Sequence, residues 1–549
     1  MQTKKNFLYI SFIIFFGVVA ILDFFHPGLP ITHDGQDHVA RIANFYQNLT
    51  EGSIIPRWAA NLNWGYGHPI LMFLYPLPSY IASLFHFLGF SLIDSLKIVF
   101  GMSFIASGFA MYLWIKELLG EEPGLVAGIL YMFAPYRFVD LYVRGAIGEH
   151  VAFVFPPLIC YFLLKMSKKY SYWYVVGGAV SLASLVLSHN AITIMFVPVI
   201  ILYAVYLIYQ NDDKKLIAIR YMLIAIFGFG LSAFFGFPAF FEGKYTLRDI
   251  VTKNEYAKSF VNWKDFLYGL WSYGGTGLFT VQIGIVQWFV VICMTPLVIF
   301  YRQKRNIQLL IVSTFILFFS TLFLMISQSK VVWETLTILQ KFQFPWRFLS
   351  IIVFLAAVSG GFFIFCLPKK FKSGAIVLII CFSLFFNKDY WHAKGFLQKD
   401  QAFFKSIYNG TTDTGESAPV WSVRFMEKMP KAHSEVISGK ATIKEVERTS
   451  IKHVYEIEVN SDSARIRENT LYFPGWKIIN NKKNITPEFQ DPANRGLMTY
   501  FLGKGKYTVF IMFEETKLRF AADIISVFSL VSIIILGILK KRILCLRFR

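Results

Sequence analysis

Apolar runs separated by short polar loops fill most of positions 1–388. Runs of roughly 18 residues or more are long enough to cross a hydrocarbon core of about 30 Å as helices. The pattern therefore predicts an α-helical polytopic membrane protein with about twelve spans. These spans are 7–25, 95–115, 123–136, 149–165, 172–187, 191–209, 216–238, 279–300, 307–327, 347–366, 373–388 and 521–539.

Residues 70–90 are also apolar enough to span, but they contain Pro76, Pro78 and His86. If this segment does not cross, the basic clusters of the loops and tail lie inside with the N-terminus, as the positive-inside rule requires. We therefore expect 70–90 to be a re-entrant or juxtamembrane element on the outer side, where a Pro-broken backbone is tolerated against protein. The clusters are Lys165/Lys168/Lys169, Lys214/Lys215, Arg302/Lys304/Arg305, Lys369/Lys370/Lys372 and Lys540/Lys541/Arg542.

Residues 389–519 show a different, polar pattern. The runs 453–459 (HVYEIEV) and 507–512 (YTVFIM) alternate apolar and polar positions, with Gly, Asn and Lys turns between them. Such alternation is typical of an antiparallel sheet. We expect an extracytoplasmic β-rich domain here, in which Trp476 either packs in the core or stacks on a sugar ring. The chain then divides into a transmembrane domain (1–388, with outer loops 26–94 and 137–148), the β domain (389–519), and a final helix with a basic cytoplasmic tail (520–549).

Composition supports a membrane location. Of 549 residues, 55% are hydrophobic and only 16% are charged, whereas a soluble protein carries about 25% charged residues. The net charge of +20 comes from clusters between apolar runs, a positive-inside pattern that argues against a nucleic-acid partner. The N-terminal run reads as an uncleaved anchor, which predicts a multi-pass plasma-membrane protein with both termini cytoplasmic. The five cysteines lie in or beside apolar runs and predict no disulfide framework or zinc site.

The first outer loop concentrates polar chemistry directly after the first span. If a helix begins at Gly35, then Asp34, Asp37, His38 and Arg41 fall on one face of it. The simpler alternative is that one aspartate caps the helix and pairs with the arginine. We predict a catalytic role for the two aspartates. The remaining candidates in this loop, for substrate binding, are His33, His38, Arg41, Arg57 and Trp58.

The second outer loop leads into the next span with Arg144, Glu149 and His150. The negative charge of Glu149 either stabilises the N-terminus of the helix through the helix dipole, or Glu149 acts as a further catalytic acid or metal ligand. Arg144 is suited to a phosphate, which guanidinium groups bind through two parallel hydrogen bonds, and His150 is a further substrate-binding candidate. Three more candidates lie at the same outer level, where polar residues usually face a cavity: His189, Asn190 and Arg347.

Two sets of motifs carry a family resemblance. The first set is His33-Asp34, His38, Arg41, 52–58 (GSIIPRW), 65–67 (GYG) and 144–149 (RGAIGE), and the second is 472–477 (YFPGWK). The first set resembles the membrane family labelled 6-pyruvoyl-tetrahydropterin synthase-related, and the second is similar to the late motif of the neighbouring YfhO-like proteins. The label does not imply pterin chemistry, because pterin synthases use a paired-histidine zinc site and the sequence contains no His-x-His.

The arrangement of outer-loop acids and a distal β domain also resembles the GT-C superfamily of multispan glycosyltransferases. This resemblance implies a GT-C-like fold with Asp34 as the key residue of the first loop, and with Asp37 and Glu149 as further acids. It implies a donor sugar linked to polyprenyl phosphate, an acceptor that is a cell-envelope glycan or lipid, and contact with membrane lipids. A divalent cation, Mg²⁺ or Mn²⁺, held by Asp37 and Glu149, stays open.

Two other functions fit the same sequence. A transporter or flippase for lipid-linked glycans would favour internal repeats and charges near the bilayer midplane, whereas the polar residues collect at the outer face. A non-catalytic assembly factor would bind glycan through its β domain and would not need the acids at membrane level. The sequence contains no GxSxG, HExxH, Walker or dinucleotide motif, so these enzyme classes are not expected.

Overall fold

Apolar helices and a C-terminal sheet make up the computed structural model, which describes residues 2–275, 278–300, 305–481 and 483–547. Arg302 and Lys304 of the predicted basic clusters lie outside the described residues. The helices are α1 (Gln2–Ala20), α2 (Gly35–Thr50), α3 (Pro76–Phe87), α4 (Leu92–Leu119), α5 (Glu121–Met132), α6 (Pro135–Phe138), α7 (Ile147–Ala152), α8 (Phe155–Lys168), α9 (Tyr172–Ser188), α10 (Asn190–Tyr209), α11 (Lys214–Leu231), α12 (Ala233–Phe241), α13 (Arg248–Val251), α14 (Trp263–Leu267), α15 (Ile285–Phe300), α16 (Arg305–Phe323), α17 (Lys330–Thr335), α18 (Leu349–Cys366), α19 (Lys369–Asn387), α20 (Gln401–Lys405) and α21 (Lys517–Arg547).

Each predicted span falls on an apolar helix, but the predicted number of about twelve is not confirmed. Within the described residues, seven helices are long and apolar enough to cross a membrane, or up to nine if each bent pair counts as one span. The bent pairs are Glu121–Met132 with Pro135–Arg144 and Lys214–Leu231 with Ala233–Phe241. Three shorter apolar helices cover the other predicted spans: Asn6–Ala20, Tyr172–Ser188 and Ile285–Met294.

The helices differ in how much of their surface is buried, which shows which of them lie at the centre of the bundle and which at its edge. Helix α18 is buried along almost its whole length, and it packs against α5, α15 and α16. Helices α19 and α21 are also apolar enough to span but are mostly exposed in the part described, as expected for helices whose outer faces meet lipid.

The ambiguous segment 70–90 forms a 3₁₀ turn, Pro69–Met72, followed by α3. Helix α3 has 12 residues, about 18 Å of helix, which is shorter than a hydrocarbon core of about 30 Å. Two prolines lie in its first turn, where a missing N–H costs nothing. Tyr75, just before the helix, adopts a left-handed backbone with φ of 48°.

The C-terminal sheet confirms the prediction of an antiparallel β domain. Its strands within the described residues are β3 (Ser434–Ser438), β4 (Ala441–Arg448), β5 (Lys452–Leu471), β6 (Trp476–Asn480), β7 (Lys483–Ile485) and β8 (Leu497–Phe513). The two alternating runs of the sequence pair directly, with His453 opposite Ile511 and Ile457 opposite Tyr507. Trp476 is buried against Trp58 and Phe513, so it packs in the core and does not offer an exposed ring to a sugar.

The segment between α19 and the sheet lies over the first outer loop. Strand β1 (Leu29–Pro30) pairs with β2 (Phe396–Leu397). Farther along, the Tyr408 N–H donates to the carbonyl of Asn61 at 2.8 Å, and the Asn63 N–H donates to the carbonyl of Gly410, also at 2.8 Å. The predicted domain at 389–519 therefore has two parts, a covering segment and the sheet that begins at Ser434.

Candidate active site

The first and second outer loops are joined through their backbones. The His33 N–H donates to the carbonyl of Val143 at 2.9 Å, and the Asp34 N–H donates to the carbonyl of Arg144 at 3.0 Å. Gly145 ends the π-helical turn Val139–Arg144 with φ of 65°, and a Cβ there would collide with the side chain of Thr32. The positive φ and the close approach both require glycine, so this residue fixes how closely the loops meet.

Asp34 immediately precedes α2, but its carboxylate does not cap that helix. The side chain is exposed, and no salt bridge to it is found among the residues that the structure describes. Protein packed around this exposed junction of the two loops, called the recess below, nevertheless desolvates the carboxyl and raises its pKa, while the Arg144 guanidinium acts in the opposite direction. Asp34 is therefore an accessible carboxylate that makes no salt bridge within the described residues, although the positive charge of Arg144 lies near it.

Asp37 lies in the first turn of α2 and is held by the covering segment. The Tyr408 hydroxyl donates to its Oδ1 at 2.7 Å. Desolvation raises the pKa of this carboxyl, and the Tyr408 hydrogen bond and the Arg41 charge partly offset that rise. The two aspartates of the loop are thus in different environments, one free and one fixed.

Arg41 connects α2 to the covering segment. It donates from Nε to the hydroxyl of Thr412 at 3.3 Å and from Nη2 to the carbonyl of the same residue. Its Nη1 lies 3.3 Å from His38 Nδ1, and its guanidinium lies 5.7 Å from the centre of the Tyr75 ring. Burial, followed by the Arg41 charge, lowers the pKa of His38 well below its usual range, so this imidazole is neutral.

Glu149 is enclosed and fully paired. It is 0% exposed, its Oε1 accepts a hydrogen bond from Tyr136 at 2.7 Å, and its Oε2 pairs with Arg144 at 2.8 Å. Arg144 also pairs with Asp140 and lies 4.7 Å from the centre of the Trp346 ring. The Glu149 carboxylate therefore holds Arg144, and through it the backbone that binds Asp34, rather than facing the recess itself.

Tyr75 lies between this recess and a second opening. Its ring stacks on His189 at 4.9 Å, and its hydroxyl lies 3.3 Å from His189 Nε2. Asn190 donates to the carbonyl of Phe73 at 3.0 Å. His189, Asn190 and Arg347 line one cleft with Tyr75, of about 510 Å³ including its open mouth. The structure thus brings three candidates from distant loops together.

Three of the predicted residues lie elsewhere, and a fourth, His33, lies beside Asp34 at the loop junction without a side-chain hydrogen bond among the described residues. Arg57 pairs with Glu515 and Asp523, each at 2.7 Å, and Trp58 is buried against the sheet domain. His150 is buried between Phe100 and Phe104. His33 is exposed beside Phe279, with ring centres 6.2 Å apart.

The side chains that the structure describes do not form a metal centre. Within the described residues, no group of three or more His, Cys, Asp or Glu is placed to hold a metal ion. The sequence-based candidates Asp37 and Glu149 do not form such a group, and both oxygens of Glu149 already have protein partners.

Several residues near the site were not singled out from the sequence. They are Tyr75, Arg248, Gln343, Tyr408, Thr412 and Glu416. Positive φ marks three of them, Tyr75 at 48°, Gln343 at 62° and Thr412 at 63°, and such backbone strain clusters at functional sites. Composition gives no signal of this kind, because the strain depends on tertiary packing.

Comparisons with known proteins agree with a membrane protein. Residues 71–392, more than half of the chain, match the family described as 6-pyruvoyl-tetrahydropterin synthase related domain, membrane protein. The chain belongs to this family. An uncharacterized protein of Lactococcus lactis subsp. cremoris (strain MG1363) is 27% identical over 279 residues, which are 49% of this chain and 45% of that protein. The chain thus spans less than half the length of this curated relative.

Two solved structures have a distant similarity. Arabinofuranosyltransferase AftD from Mycobacteria aligns with a TM-score of 0.43 and 11% identity, over 72% of this chain and 28% of that one. A mutant of AftD aligns with a TM-score of 0.40 and 11% identity, over 68% of this chain and 27% of that one. Similarity at this level does not by itself define a shared fold or activity.

Proposed function

We propose that this protein is a GT-C-type membrane glycosyltransferase. It transfers a sugar from a polyprenyl-phosphate carrier to a glycan or lipid acceptor of the cell envelope, on the outer face of the plasma membrane, with both termini in the cytoplasm. The family supplies the membrane location, and the outer-loop motifs of the sequence supply the resemblance to this enzyme class.

The observation that carries the proposal is the state of Asp34. Its carboxylate is accessible and does not cap α2, and it lies where the two outer loops meet. A structural acid would be satisfied by a cap or a salt bridge. A general base instead needs an open position and a pKa raised toward the working pH, and the pKa of Asp34 is raised.

The reaction would be a single displacement with inversion. An acceptor hydroxyl attacks the anomeric carbon, and Asp34 takes the hydroxyl proton. The bond from that carbon to the phosphate oxygen breaks, and the electron pair leaves with the phosphate. The transition state has oxocarbenium character, which a nearby carboxylate stabilises electrostatically, and Asp37 is held by Tyr408 for this role.

The leaving phosphate needs positive charge at the moment when the bond breaks. Arginine can supply this without a metal, because it stays charged and fits phosphate geometry. The described residues hold no group of metal ligands, so no step is assigned to a divalent cation. The polyprenyl tail would lie along α3 and the neighbouring apolar helices, where long exposed apolar side chains such as Leu84 and Phe87 are found.

Transfer by the purified 549-residue chain in lipid nanodiscs tests the proposal. The donors are a panel of polyprenyl-phosphoryl sugars and, as a matched set, the nucleotide sugars with the same glycosyl groups. Each is incubated with an envelope-lipid and glycan acceptor mixture, with and without EDTA. We expect product from at least one polyprenyl donor, none from the nucleotide sugars, and no effect of EDTA.

Absence of product from every polyprenyl donor would contradict the proposal and favour a transporter or an assembly factor. Movement of an intact lipid-linked glycan across the bilayer, measured in the same preparation, would separate those two alternatives. Product that forms without EDTA and is lost with EDTA would still show transferase activity. It would contradict the proposal that the reaction needs no metal ion.

A further inference from the structure

The cleft beside Tyr75 is formed by both halves of the chain. His189, Arg248, Gln343 and Arg347 come from outer loops between membrane helices, whereas Glu416 comes from the covering segment before the sheet. The lining of the cleft also includes apolar side chains. In this cleft, polar side chains that can bind a ligand therefore come together from two distant parts of the chain.

One side of the cleft carries two guanidinium groups, Arg248 and Arg347, that make no salt bridge within the described residues. Arg347 donates from Nη1 to the carbonyl of Phe342 at 2.9 Å and to Gln343 Oε1 at 3.2 Å, and its buried Nε has no hydrogen-bond partner. For the Arg248 guanidinium, no hydrogen bond or salt bridge is found within the described ranges. Two guanidinium groups without a carboxylate partner in one recess favour an anion.

The neighbouring histidine does not add to this charge. Burial lowers the pKa of His189 to about 3, although Glu149 acts in the opposite direction. His189 is therefore neutral, its Nδ1 accepts from the Ile192 N–H at 3.3 Å, and its ring supports Tyr75. The positive charge of the cleft thus comes from the two arginines alone among the lining residues described.

The other side of the cleft carries a hydrogen-bond acceptor. Glu416 Oε2 accepts from Gln343 Nε2 at 2.8 Å and from Thr414 Oγ1 at 3.2 Å, while Oε1 has no partner among the described residues. Gln343 is held at φ of 62°, a conformation that costs free energy for a residue with a Cβ. A fixed carboxylate with a free oxygen is a suitable acceptor for sugar hydroxyl groups.

We propose that this cleft binds the head group of the donor, a sugar phosphate, with the phosphate between Arg248 and Arg347 and sugar hydroxyls donating to Glu416. The site rests on the proposed function and gives that function a location for its donor. Tyr75 connects it to the reacting acid, because the same ring stacks on His189 in the cleft and lies against Arg41 beside Asp34. The covering segment then contributes to sugar recognition as well as to packing.

Direct ligand binding tests the site independently of turnover. Farnesyl phosphate and farnesol are titrated into the nanodisc-embedded full chain, with binding measured by quenching of tryptophan fluorescence and by calorimetry. We expect farnesyl phosphate to bind more tightly than farnesol. Arg248→Ala should weaken farnesyl phosphate by about tenfold to a hundredfold, the usual effect of losing a hydrogen bond to a charged group. It should leave farnesol unchanged, and Arg248→Lys should recover part of the loss.

Glu416→Gln gives a prediction of the opposite sign. Glutamine keeps an oxygen for Gln343 but removes the negative charge, so bare farnesyl phosphate should bind more tightly than to wild type. Farnesyl-phosphoryl sugars should lose the advantage that they have over farnesyl phosphate. Arg495→Ala is the matched control for Arg248→Ala, because Arg495 lies on the sheet domain and pairs with Glu427 at 3.2 Å.

Equal binding of farnesyl phosphate by Arg248→Ala, Arg495→Ala and wild type would overturn the site, as would equal binding of farnesol and farnesyl phosphate. Asp34→Asn separates this failure from failure of the proposed function. That variant should bind farnesyl phosphate as wild type does. If Asp34→Asn abolishes transfer but Arg248→Ala leaves farnesyl phosphate binding unchanged, the proposed transferase activity is supported and the proposed donor site is contradicted.

Discussion

At the scale of single residues, Asp34 and Glu149 differ in exposure and in hydrogen bonding, and the proposed mechanism gives them different roles. Glu149 is enclosed with Tyr136 and Arg144, and both of its oxygens are used. Asp34 is exposed and is not used as a cap. A buried charge needs partners to offset its desolvation, whereas a base must keep its lone pairs free. In the proposed mechanism, Glu149 therefore holds the loops through Arg144, and Asp34 takes the proton.

The pH dependence of transfer follows from this division. Desolvation raises the pKa of Asp34, and only the ionised carboxylate accepts a proton, so kcat/KM should rise with pH along an acid limb above about 4. The Asp37 charge contributes to the raised pKa of Asp34. In the residual activity of Asp37→Asn the limb should therefore move to lower pH. The measurement is kcat/KM for the donor at saturating acceptor. A value that does not change between about pH 4 and 7 would contradict the assignment of Asp34 as the general base.

At the scale of elements, the close packing of the second loop on Tyr75 keeps the recess and the cleft together. Gly148, in α7, lies so near the Tyr75 ring that a Cβ would stand 2.7 Å from ring atoms and 2.8 Å from the carbonyl oxygen of Ser188. Real Cβ atoms do not approach that closely, so the ring or the helix would have to move.

Gly148→Ala should therefore displace Tyr75 and lower kcat/KM by about tenfold to a hundredfold, because small displacements at a reacting site are costly. Gly374→Ala is the matched control: Gly374 is also helical, and nothing lies within 4 Å of its added Cβ. The check compares kcat/KM with Tm for both variants. A Gly148→Ala enzyme with wild-type kinetics would show that the contact does not position Tyr75.

At the scale of the whole molecule, the sheet domain is anchored to the membrane domain at points away from the site. Arg57 bridges Glu515 and Asp523 at the start of the last helix and also donates to the carbonyl of Phe234 at 3.1 Å. Trp58 packs edge-on against Trp476, with ring centres 5.4 Å apart. These contacts hold the sheet and the start of the last helix against the first outer loop.

Removing the Arg57 bridge should destabilise the protein. We expect Arg57→Ala to lower the free energy of unfolding by about 1–3 kcal/mol, less than for a fully enclosed pair because solvent reaches both carboxylates. Arg495→Ala, which breaks a surface pair, should change it by under about 1 kcal/mol. Thermal unfolding in detergent measures both, and equal Tm values for the two variants would contradict the anchoring role.

Local patterns in the sequence predict local structure well. The alternation in 453–459 and 507–512 predicts two strands that do pair, and Gly35 does begin a helix. The contacts that complete the site are not local. Tyr408 reaches Asp37 across 371 positions, and no periodicity reports such a pairing. Tyr75 lies in an apolar run that resembles a span, so its place between two openings depends on the short length of α3 and on tertiary packing.

Turnover of Asp34→Asn most directly tests the account. Wild type, Asp34→Asn and Asp462→Asn are compared with the polyprenyl donor found in the panel, each in nanodiscs and each checked for folding by Tm and gel filtration. Asp462 is an exposed aspartate of the sheet domain and serves as the control. We expect Asp34→Asn to lose about a hundredfold to ten-thousandfold in kcat, with farnesyl phosphate binding intact and Asp462→Asn unchanged. A folded Asp34→Asn protein that transfers sugar at the wild-type rate would contradict the central claim.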